Sequence, residues 1–345
     1  MKIVVLAGGL SPERDVSLSS GSLIANALIE TGHRVMLLDL YKGIDVSGDP
    51  DDLFTDVSSS HRYQYTVPAA EPDLAQLKTE ADMGDVLIGK NVLDICRSAD
   101  LVFIALHGDI GENGKLQAVF DVYGIRYTGT GYAGSLLAMD KDLSKQIMKN
   151  HEIPTPEWVL FHCETGDSNQ VEDQIGFPCI VKPCSGGSSI GVSIVADRAG
   201  LDLAIQAAKK YEETVVVEEL IVGREFSVGI LDGKPLPVIE IIPDEGFFDY
   251  VNKYQAGRTQ EICPADLRPE ISARMQAIAE RVHETLRLED YSRVDLMLDG
   301  ADNIFCLEAN TLPGMTPTSL LPQEALVSGI SYNELCNKIA EMALR

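Results

Sequence analysis

Basic residues are scarce in this 345-residue chain: 28 Lys and Arg stand against 53 Asp and Glu, a formal net charge of −25. Phosphate backbones attract basic surfaces, so this balance argues against a nucleic-acid partner. The acidity predicts a well-solvated surface. It still admits a single nucleotide, whose site needs a few local Lys and Arg plus metal ions. No C-x-x-C pair occurs among the seven scattered cysteines, so neither a zinc site nor a disulfide framework is supported. No apolar run is long enough to span a bilayer. The opening residues lack the ordered basic, apolar and small-residue regions of a secretory signal. The expectation is a reduced, cytoplasmic protein without membrane insertion.

The length suits two or three domains, each with its own core. "KIVVLA", "RVMLLDL" and "LVFIALHG" read as strands of an N-terminal parallel sheet, with helices at "SLSSGSLIANALIETG" and "KLQAVFDVYG". Ser17 to Ser20 offer N-caps for the first helix. Residues 43–99 are polar, weakly periodic and read as an insertion or elaborated loop. One helix is expected over 132–151, ended by the prolines of "EIPTPEW". Short strands then surround a helix near 201–211, and "EFSVGIL" and "LPVIEII" pair around "DGKP". "GFFDYVNKYQAGRTQEICPADL" has no period and reads as a long loop. A helix near 269–286 and the strands "SRVDLML" and "NIFCLEA" follow.

The glycines in "VVLAGGLSPERDVSLSSG" invite a dinucleotide reading. That fingerprint wants G-x-G-x-x-G and an acid about 20 residues on. Here the third glycine is missing and Pro12 with Glu13-Arg14 crowds the turn, although Asp39 does end the second strand. Glu13 reads either as a capping charge or as an anchor for a small cationic group. "VKPCSGGSSIGVS" places Lys182 before a loop whose glycines let backbone N–H groups approach phosphate oxygens. Taken alone, such a loop is a flexible hairpin. In "SRVDLML", Arg293 and Asp295 share one strand face; in "CLEAN", Glu308 and Asn310 do the same. If those strands pair, Asp295, Glu308 and Asn310 form an oxygen set suited to Mg²⁺. Burying them unpaired would be costly, which favours a functional reading. Lys141 in "MDKDLSK", Glu218 and Glu219 ending "VVVEEL", and Glu225 complete a candidate nucleotide site.

These stretches, with "LHGDIGENGKLQ", "FFDYVNKY" and "LEANTLPGMTPTSLLPQEA", resemble the ATP-grasp carboxylate–amine ligases, and among them the D-alanine–D-alanine ligase family. The resemblance covers nearly the whole chain except 43–99. It implies an α/β fold, α+β in the ATP-grasp part: a parallel-sheet domain over 1–130, a central lobe over 131–221, and a C-terminal lobe over 222–345 with a mobile loop at 244–265. It implies ATP held by Lys141, Lys182, Ser189, Glu218, Glu219, Glu225 and Lys253. Asp295, Glu308 and Asn310 would hold two Mg²⁺, with Mn²⁺ as a substitute. Glu13 would receive the ammonium of the first D-alanine and join Ser188 and Tyr254 in a hydrogen-bonded link. His107 would lie near the substrates. Ser319 and Leu320 would hold the carboxylate of the second D-alanine, and Arg293 and the Gly314 N–H would stabilise an oxyanion. A homodimer is implied as well. Asn113 and Gly186 depart from the family pattern without removing a ligand. Read from residues alone, a nicotinamide oxidoreductase and a silent nucleotide-binding regulator stay open. Within the family, a ligase taking D-serine or D-lactate second stays open too.

Overall fold

The computed structural model describes residues 1–68, 72–81, 83–84, 86–187, 191–243 and 259–345. Three sheets organise them. In the first, β1 (Lys2–Ala7) lies between β2 (Arg34–Asp39) and β3 (Leu101–Ile104), all parallel. β1 and β3 are almost wholly buried, as strands covered on both faces must be. Helix α1 (Arg14–Glu30) covers one face. It begins a turn before the expected serine caps, because Ser17 is committed elsewhere: its Oγ accepts from Gly8 N at 2.8 Å and donates to Ala105 O at 2.7 Å.

Residues 43–99 include α2 (Leu74–Ala81) and α3 (Val92–Ser98). After β3 come α4 (Lys115–Tyr123), α5 (Tyr132–Met139) and α6 (Lys141–Asn150). The single helix expected over 132–151 is therefore two. Asp140 is extended (φ −82°, ψ 104°) and its carboxylate accepts from Leu143 N at 3.0 Å, ending one helix and capping the next.

The second sheet is antiparallel, in the order β4 (Trp158–His162), β7 (Thr214–Glu219), β5 (Cys179–Pro183), β6 (Ser193–Val195). α7 (Ser168–Gln174) and α8 (Arg198–Ala208) pack on it. The third sheet runs β11 (Thr259–Ile262), β10 (Ile239–Pro243), β8 (Gly223–Leu231), β12 (Tyr291–Asp299), β13 (Ile304–Asn310), with β9 (Lys234–Pro235) also on β8. The second half of the expected long loop thus holds a strand: Thr259–Ile262 pair with the open edge of β10, an edge no local period announces. Helix α9 (Pro269–Thr285) packs across this sheet. α10 (Leu320–Val327) leads to α11 (Tyr332–Met342), which returns to the N-terminal core: Leu335, Cys336 and Ile339 join Ile24, Leu28 and the β1 residues in one apolar cluster. No helix among the described residues is long and apolar enough to cross a membrane.

Candidate active site

Two clefts meet where the three sheets approach one another. The larger has a volume of about 530 Å³ and lies between the second and third sheets. Ile180, Ile194, Ile221, Met297 and Leu307 give it an apolar slot; Lys141, Lys182, Glu218, Glu219 and Glu225 are its charged lining. An apolar slot with a few convergent charges is the usual form of a nucleotide-sized pocket. The smaller cleft, about 290 Å³, is lined by Glu13, His107, Arg293, Asn310, Gly314, Ser319 and Leu320. Glu308 lines both.

Beneath the larger cleft lies a buried charge cluster. Lys182 Nζ is 2.5 Å from Glu218 Oε1, and Lys145 Nζ is 3.0 Å from Glu218 Oε2. Lys145 and Glu218 are 0% and 1% exposed. Lys145 also donates to Thr155 Oγ1 at 2.7 Å and to the Pro156 carbonyl at 3.0 Å. Burial alone would push the Glu218 carboxyl up, but Lys182 and Lys145 outweigh it and hold it below its ordinary value. Burial also lowers Lys145. Lys141 Nζ donates to the Gly186 carbonyl at 2.5 Å and lies 3.5 Å from Glu308 Oε2. Glu219 accepts from Glu157 N at 3.0 Å.

The β12–β13 register sets Arg293 opposite Asn310 and Asp295 opposite Glu308, with an irregularity after Asp295. Arg293 grips Asp295 with two hydrogen bonds, from Nε at 2.9 Å and Nη2 at 2.8 Å. Ser227 Oγ on β8 donates to Asp295 Oδ1 at 2.9 Å, and Asn310 Nδ2 to Oδ2 at 3.0 Å. Among the described residues no group of three or more His, Cys, Asp or Glu side chains is placed to hold a metal ion by itself. A divalent ion here would draw on the Asp295 and Glu308 carboxylates and the Asn310 amide oxygen. That all-oxygen set fits Mg²⁺ when water and phosphate oxygens complete its shell.

In the smaller cleft, Glu13 is the N-cap residue of α1, yet its side chain makes no cap hydrogen bond. Its Oε2 lies instead against two glycines, 2.7 Å from where a Cβ on Gly108 would stand and 3.4 Å from one on Gly187. Gly108, at φ +71°, therefore could not be replaced without displacing Glu13. His107 Nε2 is 3.4 Å from Ser20 Oγ. Burial, with a further push from Arg293, lowers its pKa against the pull of Glu13 and the Leu312 backbone, so the imidazole is neutral at pH 7. Glu112 accepts from Gly108 N at 3.0 Å. Burial and the nearby Glu13 charge raise its pKa to about 8. Ser319 Oγ accepts from Thr316 N at 3.1 Å and lies 2.9 Å from where a Cβ on Gly314 would stand.

Asp39 does not read a ribose. Arg14 forms an ion pair with its carboxylate, which also accepts from Tyr41 N at 2.9 Å and Lys42 N at 3.0 Å. The dinucleotide reading of the first turn is thereby removed. Asn113 serves locally, accepting from Lys115 N at 3.1 Å at the start of α4. Ser188, Ser189, Lys253 and Tyr254 lie outside the described residues. The sequence does not single out Lys145 or Glu112, and it offers Ser20 only as a helix cap. Lys145 follows Lys141 by four positions, a helix-face spacing that was available as a signal. Glu112 lies within "LHGDIGENGKLQ" without a spacing to single it out.

The chain matches the family model described as D-ala D-ala ligase N-terminus over residues 2–130 and the one described as D-ala D-ala ligase C-terminus over 147–341. It is 43% identical over 343 residues to a D-alanine–D-alanine ligase of Pediococcus pentosaceus, covering 98% of this chain and 96% of that one. To the D-alanine–D-alanine ligase of Lacticaseibacillus casei it is 40% identical, covering 100% and 96%. A crystal structure of D-alanine–D-alanine ligase from Bacillus anthracis complexed with ATP superposes with a TM-score of 0.74 at 30% identity, covering 100% of this chain and 97% of that one.

Proposed function

This chain belongs to the D-alanine–D-alanine ligase family; it is an ATP-dependent ligase that joins two D-alanine molecules for peptidoglycan precursors, and we propose that it does so through an acyl phosphate formed where its two clefts meet. The observation that carries this reading is Glu308, which lines both the nucleotide-sized and the amino-acid-sized cleft. An amine cannot displace oxide from a free carboxylate, because oxide does not leave. Transfer of a phosphoryl group makes phosphate the leaving group instead. A carboxylate oxygen of the first D-alanine attacks the γ-phosphorus, and the bond to ADP breaks. The amine of the second D-alanine then attacks the acyl carbon. The C–O bond breaks, and phosphate departs with the surplus proton.

The protein aligns the reactants and offsets charge. Glu13 takes the first ammonium. Ser319 and Leu320 take the second carboxylate. Lys141, Lys182, Ser189 and Lys253 serve the phosphates, Glu218 and Glu219 the adenine side and Glu225 the ribose. Arg293 and the Gly314 N–H face the oxyanion. Ser188 and Tyr254 link to Glu13 to close the site. Asp295, Glu308 and Asn310 would hold two Mg²⁺, which when bound neutralise phosphate charge; Mn²⁺ would substitute. The lobe divisions at 130/131 and 221/222 belong to this reading. So does a cytoplasmic homodimer, favoured by exposed Val122, Tyr123, Tyr132 and Leu136 on the neighbouring helices α4 and α5. The test is phosphate release with ATP, Mg²⁺ and D- or L-alanine, with mass identification of the product. D-alanyl-D-alanine from the D-isomer is expected. Absence of D-alanine-dependent phosphate release overturns the reading.

A further inference from the structure

The geometry points to residues 61–68 as a strap along α1 that fixes the width of the amino-acid cleft, with Val67 as a specificity-determining residue. The inference rests on the reading of that cleft as the D-alanine site. It gives a task to the one long stretch, 43–99, that carries no motif.

The strap is pinned in steps. At Thr55 the chain is bridged to β2: Val35 N donates to Thr55 O at 2.7 Å, and Thr55 N to Val35 O at 2.8 Å. At Tyr63 the backbone is bracketed by the Asn26 side chain on α1. Asn26 Nδ2 donates to Tyr63 O at 2.8 Å, and Asn26 Oδ1 accepts from Tyr63 N at 3.0 Å. The Tyr63 hydroxyl donates to Val35 O at 3.2 Å. Two residues on, the Tyr65 hydroxyl donates to the buried carboxylate of Asp15 in the first turn of α1. The strap therefore runs antiparallel to α1, toward the helix start and Glu13.

Alternation then places Val67. In extended chain, residues two apart face the same side. The Tyr65 side chain faces α1, whereas the Tyr63 hydroxyl turns to Val35 on β2; Val67 follows Tyr65 at a spacing of two. It lines the amino-acid cleft beside Val16, Ser19 and Ser20, which share one α1 face at helical spacing. Among the described residues it is the one member of 43–99 that does so. Val67 remains 44% exposed, so it forms the rim rather than the floor. A branched apolar side chain at that rim leaves room for a methyl group and excludes larger side chains. Its neighbours on α1 stand next to Glu13, so the amino acid it screens is the one whose ammonium meets Glu13, the N-terminal residue of the product.

The test gives the full-length enzyme ATP, Mg²⁺, D-alanine and D-2-aminobutyrate, and sequences the dipeptides by fragmentation mass spectrometry. Val67→Ala should raise the share of product with D-2-aminobutyrate at the N-terminal position by about tenfold, the scale of one methylene in a pocket. Val67→Phe should lower kcat/KM for D-alanine. Tyr65→Phe, which releases the latch, should move selectivity the same way as Val67→Ala. KM for ATP should stay unchanged in all three. If selectivity of the three variants stays within twofold of the parent, or the larger residue enters only at the C-terminal position, the strap assignment is overturned. A parent enzyme that makes no dipeptide at all would instead overturn the function on which it rests.

Discussion

The two clefts stand on two buried glutamates treated in opposite ways. Glu218, under the nucleotide cleft, is held between Lys182 at 2.5 Å and Lys145 at 3.0 Å. Glu324, behind the amino-acid cleft, is fully buried on α10 one turn from Leu320. Its Oε2 accepts from Gly229 N at 2.7 Å, and its Oε1 has no hydrogen-bond partner among the described residues. Burial disfavours the charged form of both. Two ammonium groups reverse that for Glu218, whose pKa falls. A backbone amide does not reverse it for Glu324, whose pKa rises well above its ordinary value. Depth alone does not decide whether a carboxyl is charged; its neighbours do. The nucleotide cleft thus rests on an ionic floor, and the amino-acid cleft on a neutral one.

The largest effect should come from the residue that belongs to both clefts. Glu308→Gln keeps the shape and removes the charge. We expect kcat to fall about a thousandfold, the several kcal/mol that charge-stabilising groups supply. Steady-state phosphate release reads this, and near-parental turnover would separate the clefts and remove Glu308 from the metal set. Next is the ionic floor. Lys145→Met leaves Glu218 buried with one cation instead of two, and should cost about 3–5 kcal/mol by denaturant unfolding at pH 7, the usual penalty for breaking a buried pair. Lys182→Met keeps Lys145 on Glu218; it should cost less stability and raise KM for ATP more. If Lys145→Met costs under about 1 kcal/mol, Glu218 does not need its second cation and the contrast with Glu324 is lost.

The same contrast separates what could be read in advance from what could not. Arg293 with Asp295, and Glu308 with Asn310, are legible because a spacing of two on a strand is a local fact. The strands pair with Arg293 opposite Asn310. The parallel N-terminal sheet is legible for a similar reason, as its strands are continuous apolar runs. Lys145 has only its four-residue spacing from Lys141 to mark it, and a helix lysine reads as solvated until its distant partners, Glu218 and the Pro156 carbonyl, are known. The break at Asp140 and the strand at Thr259–Ile262 depend on a cap and a sheet edge, and neither leaves a period in the sequence. Val67 is the extreme case. Its neighbours hold it through Asn26 and Asp15, contacts that no window over residues 61–68 contains.

The smallest effect tests the neutral floor through pH. Glu324 keeps its proton in the fold after the unfolded chain releases one near pH 4.5. From there upward the native state binds more protons than the unfolded state, so this contribution to stability falls as pH rises. Glu218 runs the other way. Its contribution is present above pH 4.5 and is lost as pH falls through its lower folded value. His283, which burial pushes down to about 4, adds to that acid-side loss between pH 6.5 and 4. Glu324→Gln retains an acceptor for the Gly229 N–H and removes the proton linkage. Its stability at pH 5 should lie within about 1 kcal/mol of the parent. Above pH 5 its thermal midpoint should decline less steeply with rising pH than the parent's, while the acid limb, set by Glu218 and His283, stays unchanged. Parallel alkaline limbs would mean that Glu324 is ionised in the fold, and the two floors would then be alike.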